Sequence, residues 1–361
     1  MTPVHPKDLL RTVQADIRRN ILRAENGIKH VAAIDRAATA QTPKDVVWRR
    51  DNVTVWRYRN DDIRHSPPVF IIASLVSRAY VLDLRPGHSL IEWLRDSHFD
   101  VYMIDFGDPD AADAHNTLET YVDRYLRPAL RAAAGSGEIT VFGYCLGGLL
   151  GLMTVAADPG LPVRNLVCLA TPVDFQKLED GIFEYIRRGR VKIDDIVDDS
   201  GNIPGPVMRN FFRLRKPTAD IAQHVALLER LWDSEYVDGF QAISKWAADS
   251  VAFPGALGQQ MSDVLLRKNA VAYNELRLGD KRIDFCDVTC PILSVIAADD
   301  DLVPSASSAP LLDLVGSPDK TLLELPGGHM GLILGRRAVT RTLPALKEWL
   351  ADHGEPAGGN V

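Results

Sequence analysis

A cysteine with glycine two residues away on each side, Gly-Tyr-Cys-Leu-Gly at 143–147, is the stretch that most directly suggests chemistry. An apolar run at 138–142 precedes it and predicts a buried strand, and the run at 149–157 predicts a buried helix. Strand, Gly-x-Cys-x-Gly and helix form the pattern of a nucleophile elbow with cysteine in the serine position. Gly143 and Gly147 would let strand and helix approach at a strained turn, which makes Cys145 the candidate nucleophile.

The same stretch is also compatible with a cysteine that only packs. Cysteine is among the most frequently buried residue types, and a lone glycine-flanked cysteine is usually structural. A catalytic role for Cys145 therefore depends on whether the sequence supplies partners that would activate it.

Two such partners follow predicted strands, in the order that a nucleophile elbow requires. One apolar run ends at the three aspartates 299–301, and a later one ends at a glycine-rich loop that contains His329. We expect Asp300 to orient the imidazole, with Asp299 as the second choice, and His329 to act as the base. Three aspartates in a row are also typical of a solvated turn, or of a site for a divalent cation.

Backbone N–H groups complete the predicted site. The N–H of Leu146, in the first turn of the helix after Cys145, is placed to stabilise a developing negative charge. The second donor of such an oxyanion hole is expected in the loop 74–78, from Leu75 or Val76. The sequence does not choose between these two.

Cysteine instead of serine narrows the predicted reaction. A thiolate that attacks a thioester makes a new thioester, which stays activated for transfer to an alcohol, and a thiol such as coenzyme A leaves readily. A cysteine elbow therefore favours thioester-dependent acyl transfer over ester hydrolysis.

The elements that would position these groups predict an α/β-hydrolase fold with a doubly wound, mostly parallel sheet. Strand and helix patterns alternate from 69 to 170, and strands resume at 291 and 321. Residues 176–284 contain no clear apolar strand, which predicts a cap inserted over the site. The predicted segments are an N-terminal helical arm (1–41), a catalytic core in two pieces (42–175 and 285–353), a cap (176–284) and a disordered tail (354–361).

Composition limits the class of protein. The 361 residues are 46% hydrophobic with a net charge of −7, which is typical of a globular protein and argues against nucleic acid as the main partner. The four cysteines lie at no zinc spacing, and we expect neither a metal nor a cofactor. The long uncharged run 139–157 is broken by glycines, and the N-terminus lacks a signal-peptide pattern, so a cytoplasmic protein without an integral membrane segment is expected.

Several other motifs carry a resemblance to a known family. They include Tyr80-Val-Leu-Asp-Leu-Arg-Pro-Gly-His-Ser89, Lys245-Trp-Ala-Ala-Asp-Ser250, Asp300-Asp-Leu-Val-Pro304 and Gly328-His-Met-Gly331. From about Thr42 to Trp349 the chain resembles the short catalytic subunit of the two-subunit, class III polyhydroxyalkanoate synthases. The elbow alone is equally similar to the dienelactone hydrolases, which are shorter and lack a long cap.

The resemblance implies a reaction and its partners. Synthases of this family polymerise (R)-3-hydroxyacyl-coenzyme A into a polyester and release coenzyme A, and their catalytic Cys, Asp and His fall on Cys145, Asp300 and His329. The family also implies a homodimer, a second, dissimilar subunit and the surface of cytoplasmic polyester granules. The alternative is a synthase-like cysteine hydrolase, such as a thioesterase, an esterase or a dienelactone-hydrolase-like enzyme, that makes no polymer.

The sequence departs from the family pattern at positions near the predicted site. Asp301 stands where the family usually has histidine, and Phe106 where it has tryptophan. Leu146 replaces a frequent glutamine, and Ser77-Arg78-Ala79-Tyr80 replaces Asn-Arg-Pro-Tyr. These changes leave the predicted triad intact. Basic residues that would suit the coenzyme A phosphates are Arg78, Arg85 and the run 187–190.

Overall fold

A computed structural model describes residues 37–178, 181–215 and 225–357, together with Arg18 and Leu22. The predicted N-terminal arm, residues 1–41, therefore lies almost entirely outside the described residues, and so do residues 358–361 of the predicted tail.

The apolar runs of the sequence form one nine-stranded sheet. Its strands are β1 (Lys44–Arg50), β2 (Val53–Tyr58), β3 (His65–Ile72), β4 (Phe99–Asp105), β5 (Ile139–Tyr144), β6 (Val163–Leu169), β7 (Ile292–Ala297), β8 (Lys320–Leu325) and β9 (Glu355–Pro356). The spatial order is β1-β2-β4-β3-β5-β6-β7-β8, and β9 pairs with the start of β3. All neighbours from β4 to β8 are parallel, whereas β1, β2 and β9 pair antiparallel.

Alternation along the strands gives the sheet two buried faces. Phe70 and Ile72 pack into one hydrophobic cluster, while Val69 and Ile71, their neighbours on the same strand, pack into the other. The central strands are apolar on both faces because helices cover both sides, as a doubly wound parallel sheet requires. The predicted α/β-hydrolase architecture is confirmed.

Helices connect the strands and fill both faces. The longer α-helices of the described residues are α1 (Leu90–Asp96), α2 (Arg127–Ala134, preceded by a π-helical turn Thr120–Leu126), α3 (Leu146–Ala157), α4 (Gly181–Arg187), α5 (Gly205–Arg215), α6 (Ser234–Ala248), α7 (Gly255–Met261) and α8 (Leu343–Asp352). Ser89 caps α1, since its hydroxyl accepts a hydrogen bond from the Glu92 N–H at 2.9 Å.

The segment between β6 and β7 contains α4 to α7. Its described strands are two-residue pairs apart from the main sheet, Asn202–Ile203 with Phe253–Pro254 and Arg277–Leu278 with Lys281–Arg282. Cap residues such as Ile186 and Leu257 belong to the same hydrophobic cluster as Phe70 of β3. The cap therefore shares its core with one face of the sheet.

Two details of the sequence prediction were wrong. The sequence Ser66-Pro67-Pro68 predicted a break before a strand at Val69, but β3 already begins at His65. Its register with β4 shifts between His65 and Val69, so the prolines, which lack an N–H, sit where the pairing is irregular. The predicted disordered tail also begins too early, because Glu355 and Pro356 pair with Ser66 and His65.

Candidate active site

The turn that carries Cys145 is a strained strand-to-helix junction. Strand β5 ends at Tyr144 and α3 begins at Leu146, which leaves Cys145 alone with a left-handed φ of 57°. A non-glycine residue adopts this conformation rarely, and it persists where the surroundings enforce it. The backbone N–H of Cys145 donates a hydrogen bond to the Leu169 carbonyl at 2.8 Å, which ties the turn to β6.

Close backbone contacts explain why the elbow needs its two glycines. A Cβ on Gly143 would overlap the backbone of Gly148, and a Cβ on Gly147 would overlap the carbonyl oxygens of Ile72 and Ala73. The predicted elbow glycines therefore lie where strand β5, helix α3 and the end of β3 meet without side chains between them.

Asp300 and His329 meet next to the elbow. His329 Nδ1 lies 2.7 Å from Asp300 Oδ2, and both side chains are buried. The other carboxylate oxygen of Asp300 accepts hydrogen bonds from the N–H groups of Leu302 and Val303, at 2.9 and 2.8 Å. The carboxylate is thus fixed on one side by backbone and left to hold the imidazole on the other.

Asp299, the second choice from the sequence, has a different environment. Its Oδ2 accepts a hydrogen bond from the Gly327 N–H at 3.2 Å, and its backbone N–H donates to the Gly327 carbonyl at 2.9 Å. Asp299 therefore holds the base of the histidine loop, and Asp300 is the aspartate that contacts His329.

Electrostatics link His329 to Cys145. Burial is the largest single effect on the pKa of His329 and would lower it, whereas the charge of the Cys145 sulfur, the next largest effect, raises it. Hydrogen bonds with Asp300 and Cys145, and the charge of Asp300, act in the same direction and raise this pKa to about 10. An imidazolium is therefore favoured beside the cysteine, which is the arrangement of an activated cysteine nucleophile.

Tyr144 is a neighbour of the site that the sequence did not single out. Its ring lies 4.9 Å from the imidazole of His329, centroid to centroid, and its hydroxyl donates to the His329 carbonyl at 3.4 Å. Burial, and to a lesser extent the charges of Cys145 and Asp300, raise the pKa of Tyr144 far above its usual range. The phenol therefore stays protonated. Tyr144 occupies the variable position of Gly-x-Cys-x-Gly, and the sequence around it does not predict a contact with His329, which is 185 positions away.

An apolar cavity of about 340 Å³ opens onto Cys145. Leu146 and Val76 line it next to Cys145, and Leu302 and Val303 extend it from the Asp300 turn. The side chain of Leu75, by contrast, is buried in the core. Of the residues predicted to supply backbone donors, Leu146 and Val76 thus line the cavity with Cys145 and Leu75 does not, and the donor role of all three stays a prediction.

Most of the arginines suggested for the coenzyme A phosphates are already paired. Arg78 bonds to Asp108 at 2.9 Å and to Asp249 at 3.0 Å. Arg187 and Arg188 both contact Glu184. These pairs explain the positions of Arg78, Arg187 and Arg188 without a bound phosphate.

Neither a membrane span nor a metal cluster is found in the part of the chain that the structure describes. No described helix is both long and apolar enough to cross a bilayer. The described histidine, cysteine and acidic side chains likewise form no group of three that would hold a metal ion.

Comparison with known proteins agrees with this architecture. Residues 81–336 match the family model of the alpha/beta hydrolase fold, and residues 10–94 match that of the poly-beta-hydroxybutyrate polymerase (PhaC) N-terminus. In solved structures, the monoacylglycerol lipase of Paleococcus ferrophilus superposes with a TM-score of 0.50 at 18% identity, covering 83% of this chain and 99% of the lipase. That likeness shows the fold alone.

Relatives of similar length identify the family more closely. The poly(3-hydroxyalkanoate) polymerase subunit PhaC of Allochromatium vinosum is 34% identical over 352 residues, which cover 96% of this chain and 98% of the relative. The protein of the same name from Thiocystis violacea is 32% identical over 332 residues, covering 90% and 93%. This chain belongs to the family of poly(3-hydroxyalkanoate) polymerase PhaC subunits, within the α/β-hydrolase superfamily.

Proposed function

We propose that this chain is the catalytic subunit of a poly(3-hydroxyalkanoate) polymerase. It would transfer (R)-3-hydroxyacyl groups from coenzyme A to Cys145, and from Cys145 to the hydroxyl end of a growing polyester. The observation that carries the proposal is the 2.7 Å contact between His329 Nδ1 and Asp300 Oδ2 beside the Cys145 elbow, in a chain of this family.

The first step loads the enzyme. The thiolate of Cys145, paired with the imidazolium of His329, attacks the thioester carbonyl. The bond from that carbon to the coenzyme A sulfur breaks, and the imidazolium gives its proton to the departing coenzyme A thiolate. Transient negative charge on the carbonyl oxygen would be stabilised by the N–H of Leu146 and by a second donor at Leu75 or Val76. The products are an acyl-Cys145 thioester, free coenzyme A and a neutral imidazole.

The second step extends the polymer. Acylation removes the sulfur charge that raised the pKa of His329, so the neutral imidazole persists and can take the proton of an incoming hydroxyl. The alkoxide oxygen bonds to the acyl carbon, and the Cys145 sulfur leaves with its electron pair. Asp300 would hold the ring orientation and balance the charge that returns to His329. The initial pair of Cys145 thiolate and His329 imidazolium is thereby restored.

The reaction draws on no separate cofactor, because coenzyme A enters as part of the substrate. The relatives are named as polymerase subunits. We accordingly propose that a second, dissimilar subunit supports activity, that the catalytic chain forms a homodimer, and that it works at polyester granules in the cytoplasm.

A product assay tests the proposed function. The purified chain, alone and with candidate partner subunits, is incubated with (R)-3-hydroxyacyl-coenzyme A thioesters of several lengths. Coenzyme A release and the products are then measured. We expect release together with a polyester precipitate. Release with only monomeric hydroxy acid would instead identify a hydrolase, and no release in any combination would contradict the proposal.

A further inference from the structure

The loop 74–78, which follows β3, runs from the elbow past the candidate active site. Just before its start, the carbonyl oxygen of Ala73 lies against Gly147, where no side chain would fit between them. Val76, in the middle of the loop, lines the cavity together with Cys145. The elbow therefore fixes one end of this loop, and the position of the backbone N–H groups along it depends on what holds the other end.

Arg78 ties the far end of the loop to two carboxylates. Its Nε donates a hydrogen bond to Asp249 at 3.0 Å, and its Nη2 donates to Asp108 at 2.9 Å. Asp249 is the C-cap residue of helix α6 in the cap, whereas Asp108 follows β4 in the core. Because the Arg78 side chain is only 25% exposed, water screens these two pairs less than it screens a fully exposed pair.

The cap also holds the backbone of this loop. The indole N–H of Trp246, in α6, donates a hydrogen bond to the carbonyl of Arg78 at 3.0 Å. The N–H of Ala252, beyond the end of α6, donates to the second carboxylate oxygen of Asp108 at 3.2 Å. The C-terminal end of one cap helix thus contacts both the side chain and the backbone of Arg78.

These contacts bear on catalysis because an oxyanion hole depends on the placement of its donors. A backbone N–H stabilises the developing charge only within hydrogen-bond distance of the oxygen that carries it, and loss of one donor lowers kcat by about 10²- to 10³-fold. A five-residue loop has little freedom to shift its N–H groups while both of its ends are held. Without the contact to α6, only the end at the elbow stays fixed.

We propose that Arg78 is a positioning residue for the oxyanion hole. Its contacts with Asp249 and Trp246 join the loop 74–78 to the cap, so the second backbone donor is in place only while the end of α6 contacts this loop. The inference rests on the proposed function. Arg78 acts through the backbone of the loop and not on the substrate. Because the oxyanion forms only in the transition state, loss of these contacts is expected to lower kcat and to leave KM nearly unchanged.

Variants of Asp249 test the positioning role. The values of kcat and KM for coenzyme A release are measured with (R)-3-hydroxybutyryl-coenzyme A. We expect Asp249→Ala to lower kcat at least about tenfold, with KM within about threefold of that of the unmodified enzyme. Asp249→Glu keeps a carboxylate that can pair with Arg78, so we expect it to restore most of the lost kcat.

Asp45→Ala is the matched control. Asp45 pairs with Arg59 at 2.6 Å, and it lies on β1 at the edge of the sheet, where the pair is exposed. An exposed pair of this kind contributes little to stability, so we expect kcat of Asp45→Ala within about twofold of that of the unmodified enzyme.

The outcomes separate this inference from the proposed function. An unchanged kcat in a folded Asp249→Ala protein would overturn the positioning role while the unmodified enzyme still makes polymer. A raised KM with an unchanged kcat would also overturn it, because that result indicates direct contact with the substrate. No coenzyme A release by the unmodified enzyme would overturn both.

A second variant keeps the test decisive should Asp249→Ala fail to fold. Trp246→Phe removes only the indole donor to the Arg78 carbonyl and keeps an aromatic ring in place. We expect it to lower kcat by about threefold or more with KM unchanged. An unchanged kcat in Trp246→Phe would then overturn the positioning role.

Discussion

At the scale of single residues, the three successive aspartates 299–301 show how similar side chains acquire different tasks. Asp300 contacts His329 and is held by two backbone N–H groups, whereas Asp299 contacts the backbone of Gly327. The sequence restricted the choice to this cluster and ranked Asp300 first. It could not exclude Asp299, because which carboxylate reaches the imidazole depends on the turn after β7.

Replacing this carboxylate tests its proposed role. Asp300→Asn keeps the shape but removes the charge that favours the imidazolium and the required tautomer, so we expect kcat for coenzyme A release to fall by about 10²- to 10⁴-fold. Asp300 raises the pKa of His329 through a hydrogen bond and through charge. In the residual activity, the alkaline limb of the pH profile should therefore move to lower pH.

The neighbouring aspartate provides the matched control. In Asp299→Asn the amide oxygen can still accept the hydrogen bond from Gly327, so we expect activity within about threefold of the unmodified enzyme. Equal losses in the two variants would contradict the assignment of Asp300, as would an unmoved pH profile in Asp300→Asn.

At the scale of elements, the elbow depends on close packing between β5, α3 and the end of β3. Gly147 lies against the carbonyl oxygens of Ile72 and Ala73, which belong to backbone and cannot move aside as a side chain would. The same contact holds Cys145 at the edge of the sheet where Asp300 and His329 also lie. The close packing at this junction therefore determines both the position of Cys145 and part of the stability of the protein.

An alanine variant tests this coupling. Gly147→Ala is expected to destabilise the protein by more than about 3 kcal/mol, because the new Cβ overlaps backbone. Gly137→Ala is the control, since its Cβ would meet only the Ala134 carbonyl at an ordinary 3.6 Å. Thermal unfolding followed by circular dichroism compares the two. Similar stabilities would show that the elbow tolerates a side chain and would refute this account of the glycine.

The sequence predicted the elements of the core better than those of the cap. Continuous apolar runs such as 69–72 and 292–297 identify buried parallel strands, since such strands are covered on both faces. Helix α5 of the cap was not predicted. It begins at Gly205 and Pro206, and only part of its surface is apolar because it covers a cavity. Its burial depends on tertiary contacts that the local pattern does not reveal.

At the scale of the whole molecule, the site joins distant parts of the chain. Cys145, Asp300 and His329 come from three loops at one edge of the sheet, and residues of the cap line an apolar cavity next to Cys145. Strand order and the elbow motif allowed the three residues to be predicted, because the carboxyl ends of parallel strands meet at the same edge. The cavity could not be predicted, since its lining is drawn from segments whose relative placement the sequence does not encode locally.

The central claim is that the acyl group passes through a thioester on Cys145. Rapid quenching after mixing with an (R)-3-hydroxyacyl-coenzyme A, followed by intact-protein and peptide mass spectrometry, measures this directly. We predict one or more acyl units on the peptide that contains Cys145, with coenzyme A release. Cys145→Ala should show neither, while Cys286→Ala, which alters an exposed cysteine, should behave as the unmodified enzyme. An acyl adduct on another residue, or polymer made by Cys145→Ala, would contradict the account.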